Sequence, residues 1–151
     1  MEIRRTDLSE PEVVALIELH LREMLAFSPP GTNHALDLSG LTAPGVEVFA
    51  AWDDARLLAI GALKQHSDFA EIKSMRAHPE ARRKGVGKAM LKHLIDRARE
   101  LGYAEVKLET GSGEPFAAAT ELYQSFGFRP CSDFAGYSAG EFNKLFALAI
   151  P

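Results

Sequence analysis

The residues of this sequence that could do chemistry are concentrated in one short segment, ARRKGVGKAM, at residues 81–90. Basic side chains surround two glycines there, and an apolar pattern of helical spacing follows at once. The first N–H groups of a helix lack intrahelical partners and carry partial positive charge, and glycine lets an anion approach the backbone closely. The segment therefore predicts a site for a phosphate or pyrophosphate group. Its candidate residues are Arg82, Arg83, Lys84, Gly85, Val86, Gly87 and Lys88.

The glycine spacing on its own does not identify the ligand. A phosphate-binding Walker A loop needs Gly-x-x-x-x-Gly-Lys-Ser/Thr, which this segment lacks. A dinucleotide-binding Gly-x-Gly-x-x-Gly loop needs a third glycine where Met90 stands. A Gly-x-Gly pair also fits a plain turn with a solvated basic rim, and on spacing alone both interpretations stay open.

The rest of the chain limits the classes of protein to which this segment can belong. The 151 residues are 46% hydrophobic and 25% charged, which is typical of a soluble globular protein and predicts a single domain over residues 1–151. The formal net charge of -4 argues against general nucleic-acid binding. No apolar run approaches the ~20 residues that span a bilayer, so we expect no membrane partner.

The cysteine and histidine residues suggest a reduced protein without a metal. The single cysteine, Cys131, excludes an internal disulfide and a thiolate zinc site, and it fits a reducing compartment. His66, His78 and His93 share no metal-ligand spacing, so we expect no metal. The N-terminal residues MEIRRTDLSEPE contain no apolar segment of a secretory signal, and we therefore expect a cytoplasmic protein.

Apolar patterns on either side of the basic segment predict the elements that must position it. Two strand patterns, VEVFAAW and RLLAIGALK, flank a predicted hairpin turn at residues 53–55, and a third, FAEIKSMRA, follows. A helix with an apolar stripe separates FAEIKSMRA from the next strand, AEVKLET, and this β-α-β unit favours parallel pairing. The whole order, β-α-α-β-β-β-α-β-α-β-β, predicts an α/β fold with a mixed sheet and helices on both faces.

The first helix has a start signal and a stop signal. Ser9, Pro11 and Glu12 predict a capping box in which Ser9 is the N-cap residue. The segment SPPG at residues 28–31 ends the helix, because proline cannot continue it. A second, short helix is predicted within NHALDLSGL.

Two motifs resemble those of the GNAT superfamily of N-acetyltransferases. The first, Arg/Gln-x-x-Gly-x-Gly/Ala at the start of a long helix, is met by Arg82, Gly85 and Gly87. The second, AAATELYQSFGFRP, is similar to the family's Ala-x-x-Leu-Tyr-x-x-x-Gly-Phe, although Phe116 stands where many members place an asparagine. Since the order of elements also matches, the resemblance covers nearly the whole chain. The second motif is met by Ala119, Leu122, Tyr123, Gly127 and Phe128.

The resemblance implies a fold and a donor substrate. The fold is a mixed, mostly antiparallel sheet of six to seven strands flanked by helices, with one parallel β-α-β unit at the basic segment. Residues 82–88 are expected to bind the pyrophosphate of acetyl-CoA, which acts as a co-substrate. The backbone of Met75, Arg76 and Ala77 is expected to bind the pantetheine arm and to stabilise the thioester oxygen. The acceptor site is expected where the strands FAEIKSMRA and AEVKLET separate.

For catalysis the resemblance indicates Tyr123 as the general acid, because an ordinary phenol stays protonated at neutral pH. Glu71 is the candidate base, and ordered water is the alternative. Simpler interpretations are that Tyr123 is only a core aromatic residue and that Glu71 is an outward-facing carboxylate paired with Lys73. No activated cysteine or serine nucleophile is evident, so we expect direct transfer in a ternary complex.

The acceptor is expected to be the amine of a small molecule, at a site that includes His34, Lys73, Phe134 and Tyr137. His34 also fits an ordinary surface loop, and the two aromatic residues also fit the lining of the last strands. A carboxylate on the acceptor is predicted on the ground that a buried cation, Lys73 or Arg76, needs an anionic partner. The alternatives are a protein or peptide acceptor, a non-catalytic acyl-CoA sensor and, with less support, an anion-binding or RNA-binding module. We expect no nucleic-acid partner, and the sequence leaves a homodimer open.

Overall fold

The computed structural model describes residues 1–81 and 85–151. In this part of the chain the strands are β1 (Glu2–Arg5), β2 (Val46–Asp53), β3 (Arg56–Gln65), β4 (Ala70–Ala77), β5 (Glu105–Thr110), β6 (Arg129–Pro130) and β7 (Lys144–Ala149). The helices are α1 (Pro11–Phe27), α2 (Leu38–Leu41), α3 (Val86–Glu100) and α4 (Ala117–Ser125). None of these helices is long and apolar enough to cross a membrane.

The strands form one seven-stranded sheet in the order β1-β2-β3-β4-β5-β7-β6. Neighbouring strands are antiparallel except β4 and β5, which are parallel. α3 connects these two parallel strands, as the β-α-β pattern predicts. The predicted fold class, a mixed and mostly antiparallel sheet flanked by helices, is therefore confirmed.

The start of α1 lies one residue later than its capping signal predicts. Glu10 is the N-cap residue, and no side chain caps the helix. The hydroxyl of Ser9 instead donates to Asp7 Oδ1 at 2.5 Å, and the Thr6 hydroxyl donates to Glu10 Oε1 at 2.6 Å. The prediction of Ser9 as the N-cap residue is wrong, because the turn before the helix uses its side chain for local hydrogen bonds.

Two apolar clusters, one on each face of the sheet, form the core. On the first face, which we call the α3 face, α3 packs Met90, Leu91 and Leu94 against the sheet. The approach is so close that a Cβ on Gly61 of β3 would lie 2.9 Å from Met90 Cγ. On the second, the α1 face, α1 packs Leu16 and its apolar neighbours against β2 and β3. Burial of each such large side chain stabilises the folded state by about 1.5–3 kcal/mol.

β4 and β5 stay paired over a short stretch and then separate. Their register ends at Ile72 opposite Leu108, while β4 continues to Ala77 beside β3 and β5 continues to Thr110 beside β7. The separation opens a wedge in the middle of the sheet. The acceptor site is expected at this wedge.

A β-bulge at Ser74 shifts the alternation of side chains along β4. Ser74 has a φ of 53°, and the register of β4 against β3 shifts at this point. A regular strand would place residues 73 and 76 on opposite faces. The bulge instead turns both Lys73 and Arg76 to the α1 face, while Met75 packs on the α3 face.

Candidate active site

On the α3 face, α3 begins in a conformation that leaves its N-terminus open. Gly85 is the N-cap residue with a φ of 75°, in the left-handed region that favours glycine, and no side chain of residues 1–81 or 85–151 caps the helix. Among the described residues, a Cβ on Gly87 would meet only Leu122 Cδ2, at 3.4 Å. The other side of Gly87 is therefore open, beside N–H groups that lack intrahelical partners. This geometry is that of an anion site.

The basic side chains predicted for this site are described only in part. Arg82, Arg83 and Lys84 lie outside the described residues, so their contacts with acetyl-CoA stay predictions. Val86 is buried in the α3-face cluster and anchors the start of the helix. Lys88 is exposed in the first turn of α3, where its ammonium group can reach an anion bound at the helix N-terminus.

The last residues of β4 border the wedge. Met75 packs its side chain into the α3-face cluster. Arg76 points to the α1 face, where its guanidinium forms an ion pair with Glu23 of α1 and its Nε donates to the Ala77 carbonyl at 3.2 Å. The side chain of Arg76 is thus turned away from α3, and only its backbone is available for the predicted pantetheine contact.

Tyr123 lies on α4, close to the open helix N-terminus. It shares the α3-face cluster with Val86, and its neighbour Leu122 lies beside Gly87. The Tyr123 side chain packs edge-on against Phe128, with ring centroids 5.9 Å apart. Burial raises the pKa of Tyr123 to about 12, so the phenol stays protonated at neutral pH. The residue is part of the core and is also an available acid.

Phe116, the residue before α4, packs in an apolar environment. Phe116, which stands where the resemblance leads one to expect an asparagine, is buried and packs edge-on against Phe142 at 5.4 Å between centroids. A Cβ on Gly111 would lie 2.5 Å from Phe142, so the glycine makes room for the two rings. Phe116 therefore has a packing role and offers no polar group to a ligand.

On the α1 face, the centre of the site is a buried carboxylate, Glu71 of β4, which is 1% exposed. Its Oε1 lies 2.9 Å from Nε2 of His66, and its Oε2 accepts a hydrogen bond from Lys73 Nζ at 3.2 Å. Lys73 Nζ also donates to the Tyr137 hydroxyl at 2.7 Å. The predicted pairing of Glu71 with Lys73 is present, whereas the interpretation of Glu71 as an outward-facing carboxylate is wrong.

The loop after α1 contacts the side chains on the α1 face of the site. His34 Nδ1 lies 2.6 Å from Glu109 Oε1 of β5, and the His34 ring stacks on Tyr137 at 4.9 Å between centroids. Asn143 Nδ2 donates to the Glu109 carboxylate at 3.0 Å and to the Thr32 carbonyl at 3.1 Å. His34 therefore lies against the other predicted acceptor residues and not on an isolated surface loop.

A tight turn between β6 and β7 presents two aromatic residues to this face. Ala135 and Gly136 have φ values of 51° and 81°, and the Tyr137 N–H donates to the Phe134 carbonyl at 2.7 Å, as in a type I′ turn. Phe134 is buried against Phe69, with ring centroids 5.4 Å apart. Burial raises the pKa of Tyr137, and nearby carboxylates act in the same direction.

Cys131 does not offer a competing nucleophile. Burial raises the pKa of its thiol, which favours the unreactive thiol form at neutral pH. Its N–H donates to the Leu145 carbonyl at 3.1 Å, at the edge of the sheet. Within residues 1–81 and 85–151, no three histidine, cysteine, aspartate or glutamate side chains form a group that could hold a metal ion.

The sequence matches a known family over most of the elements just described. Residues 13–128 match the Acetyltransferase (GNAT) family. The chain belongs to the GNAT family. Both motifs on which the resemblance depends lie inside the matched residues. This GNAT protein is therefore an acyltransferase, as the motifs predict.

Its relatives cover almost its full length. This GNAT protein is 44% identical over 138 residues to the Bacillus subtilis (strain 168) protein named "Uncharacterized N-acetyltransferase YsnE", with 91% of each chain covered. It is 37% identical over 149 residues to "Uncharacterized N-acetyltransferase YedL" of Escherichia coli (strain K12), with 98% of this chain and 94% of the relative covered. Its fold matches the crystal structure of a Bacillus subtilis acetyltransferase in complex with CoA, with a TM-score of 0.74, 19% identity and 99% of each chain covered.

Sequence reasoning missed three residues that build the α1 face of this GNAT protein. His66, Glu109 and Asn143 belong to no motif, and they reach the site from the turn after β3, from β5 and from the start of β7. Only Glu109 has a signal in the sequence. It alternates with the buried apolar residues Val106 and Leu108, so it must leave the α3 face.

The structure also removes the ground for expecting a carboxylate on the acceptor. Lys73 pairs with Glu71, and Arg76 pairs with Glu23. Each cation therefore already has an anionic partner within the protein. A substrate carboxylate would have to compete with these ion pairs, and the expectation of a carboxylated acceptor has no further support.

Proposed function

We propose that this GNAT protein transfers the acetyl group of acetyl-CoA to the amine of a small molecule, by direct transfer in a ternary complex. One observation carries the proposal. The wedge between β4 and β5 has an open helix N-terminus and Tyr123 on its α3 face, and it has the Glu71 network on its α1 face. A donor with a pyrophosphate group and an amine acceptor can therefore approach the wedge from opposite sides.

The residues of the α3 face fit the donor. The open N–H groups at Val86 and Gly87 suit a pyrophosphate, and Lys88 adds a positive charge. The backbone of residues 75–77 borders the wedge, where β4 no longer pairs with β5. The Bacillus subtilis acetyltransferase that shares the fold was crystallised in complex with CoA, which supports the same assignment here. When bound, acetyl-CoA supplies the acetyl group as a thioester.

Three proton transfers balance the reaction. The acceptor ammonium loses one proton to Glu71, directly or through a water molecule, and the neutral amine then uses its electron pair to form the new C–N bond. The Tyr123 hydroxyl gives one proton to the sulfur as the C–S bond breaks, and its raised pKa keeps it protonated until then. The second proton leaves the nitrogen of the adduct and, passed on through water, restores the Tyr123 hydroxyl. In this proposal a backbone N–H of residues 75–77 stabilises the thioester oxygen.

The α1 face favours a small acceptor over a peptide. The loop after α1 contacts the β6–β7 connection through the stack of His34 on Tyr137 and through the hydrogen bond from Asn143 to Thr32. These contacts hold the loop against Tyr137, which in turn contacts Lys73, the partner of Glu71. A peptide acceptor would have to displace this loop, whereas a small amine would not.

The test is a screen of acceptors with detection of the CoA thiol that transfer releases. The arms are small primary amines, peptides with free lysine or a free N-terminus, and acetyl-CoA without an amine. We expect amine-dependent CoA release with at least one small amine, and loss of that release in Tyr123→Phe. Binding of acetyl-CoA by calorimetry without turnover in any arm would indicate the sensor function instead, and faster turnover of peptides than of every small amine would contradict a small acceptor.

A further inference from the structure

His66 contacts the candidate base at the carboxylate oxygen that Lys73 does not contact. The two oxygens of Glu71 have different partners: Oε2 meets Lys73, which leads on to Tyr137, whereas Oε1 meets only the His66 ring among the described hydrogen bonds. A carboxylate that is 1% exposed can turn about its last bond only by giving up these contacts. The bond to His66 therefore fixes the orientation of the carboxylate, with Oε2 beside Lys73.

The His66 ring is held in place without help from Glu71. It stacks on Phe69, with ring centroids 4.5 Å apart and planes inclined by 20°. Its backbone N–H donates to the Phe69 carbonyl at 3.0 Å, and its carbonyl accepts a hydrogen bond from the Tyr103 hydroxyl at 2.8 Å. A donor that is fixed independently can orient its partner, because little freedom is lost when the hydrogen bond forms.

We propose that His66 is a positioning residue for Glu71, which holds Oε1 so that Oε2 is presented to the acceptor amine. The inference rests on the proposed function, in which Glu71 is the base. His66 itself touches neither the donor nor the amine in this arrangement. The other charged or titratable groups around Glu71 are Lys73 on β4 and Tyr137 in the β6–β7 connection, with Lys64 on β3 and Lys107 on β5 at the same register.

The test compares two substitutions that differ in one property. His66→Phe keeps a ring that can stack on Phe69 but removes the donor, whereas His66→Gln keeps a side-chain N–H. We expect His66→Phe to lower kcat about 10- to 100-fold, since a hydrogen bond to a charged group is lost, and to leave the affinity for acetyl-CoA unchanged. His66→Gln should recover most of the rate.

Two further measurements separate positioning from a general structural effect. In the Glu71→Gln background, His66→Phe should change kcat less than about twofold, because its effect acts through Glu71. His93→Phe, which alters a histidine on α3 that packs against Phe49, is the matched control and should behave like the wild type. A full effect of His66→Phe in the Glu71→Gln background, or wild-type kinetics of His66→Phe, would overturn the inference.

Crystal structures of the wild type and of His66→Phe test the positioning without any need for turnover. The Glu71 carboxylate should rotate in the variant while Lys73 and Tyr137 remain in contact. An unchanged Glu71 would overturn the inference even in an active enzyme. If the wild type acetylates no amine, the proposed function fails, while these structures still decide whether His66 orients Glu71.

Discussion

The two faces of the sheet build their halves of the site in opposite ways. On the α3 face, the open helix N-terminus and Tyr123 come from two short sequence segments, and the side chains that pack with Tyr123 are apolar. On the α1 face, side-chain hydrogen bonds join residues that are 64, 75 and 111 positions apart. The proposed donor half thus depends mainly on backbone geometry, whereas the proposed acceptor half depends on side chains that many elements contribute.

This difference has an energetic consequence. Buried charges such as Glu71 and Lys73 are tolerated only in pairs, so removing one partner leaves the other without compensation. Substitutions on the α1 face should therefore alter both stability and activity. On the α3 face the Tyr123 hydroxyl lies among apolar groups. A conservative substitution of Tyr123 should therefore alter activity without altering stability.

The largest expected effect is at the helix N-terminus. Gly87→Glu places a carboxylate where the donor pyrophosphate is expected and fills the open side of the glycine. Binding of acetyl-CoA should become too weak for calorimetry, while circular dichroism shows an intact fold. Gly140→Glu, at an exposed glycine with no neighbouring atom within 4 Å of its Cβ position, adds the same charge elsewhere and should bind normally. Equal affinities in the two variants would refute the donor site.

Two tyrosines allow a direct comparison of the faces. Tyr123→Phe removes the acid on the α3 face and should lower kcat on the order of 10²-fold, with acetyl-CoA affinity unchanged. Tyr137→Phe removes the acceptor of one Lys73 hydrogen bond on the α1 face and should lower kcat by less than about tenfold. Steady-state kinetics and calorimetry measure both. If Tyr137→Phe proves the more damaging substitution, the assignment of the acid to the α3 face is wrong.

A buried histidine should make stability depend on pH on the α1 face. His20 of α1 is 7% exposed, and burial, helped by the charge of Arg76, lowers its pKa to about 4. In the unfolded chain His20 binds a proton near the ordinary histidine pKa. The stability that depends on an uncharged His20 is therefore complete above about pH 6.5 and is lost as the pH falls towards 4.

Urea unfolding at pH 7 and pH 4.5 measures the effect. The free energy of unfolding of the wild type should fall by about 2.5 kcal/mol more than that of His20→Phe between these values. An equal decrease in the free energy of unfolding of the two proteins would show that the folded state binds a proton at His20 at no cost in stability. The fold would then tolerate an added charge at this position.

The smallest expected effect is on the loop that closes the α1 face. His34→Ala removes the contact with Glu109 and the stack on Tyr137. Because the His34 side chain is partly exposed, the KM for the amine should rise only about two- to fivefold, with acetyl-CoA affinity unchanged. A loss of acetyl-CoA affinity would mean that the loop serves the donor half.

The sequence predicts the two halves of the site unequally, and the reason is physical. Gly85 and Gly87 follow from local spacing, because a helix start is a property of neighbouring residues, and Tyr123 is implied by the resemblance of one short, contiguous motif to the family's. His66 and Asn143 reach the α1 face only through the folded course of the chain, so spacing carries no signal for them. For the bulge at Ser74 the sequence pattern gives the wrong answer, since a regular strand would place the side chains of Lys73 and Arg76 on opposite faces of the sheet.

Because of that bulge, β4 carries two sets of side chains, one on each face of the sheet. Side chains at 70, 72 and 75 belong to the α3 face, whereas those at 71, 73 and 76 belong to the α1 face. Acceptor preference can therefore be re-engineered at the second set without altering any side chain of the first. Deletion of Ser74 would remove only the extra residue of the bulge, so Lys73 and Arg76 would stay on the α1 face. Loss of the bulge with Ser74 kept in the strand would instead exchange the two sets beyond that point and turn Arg76 towards the donor.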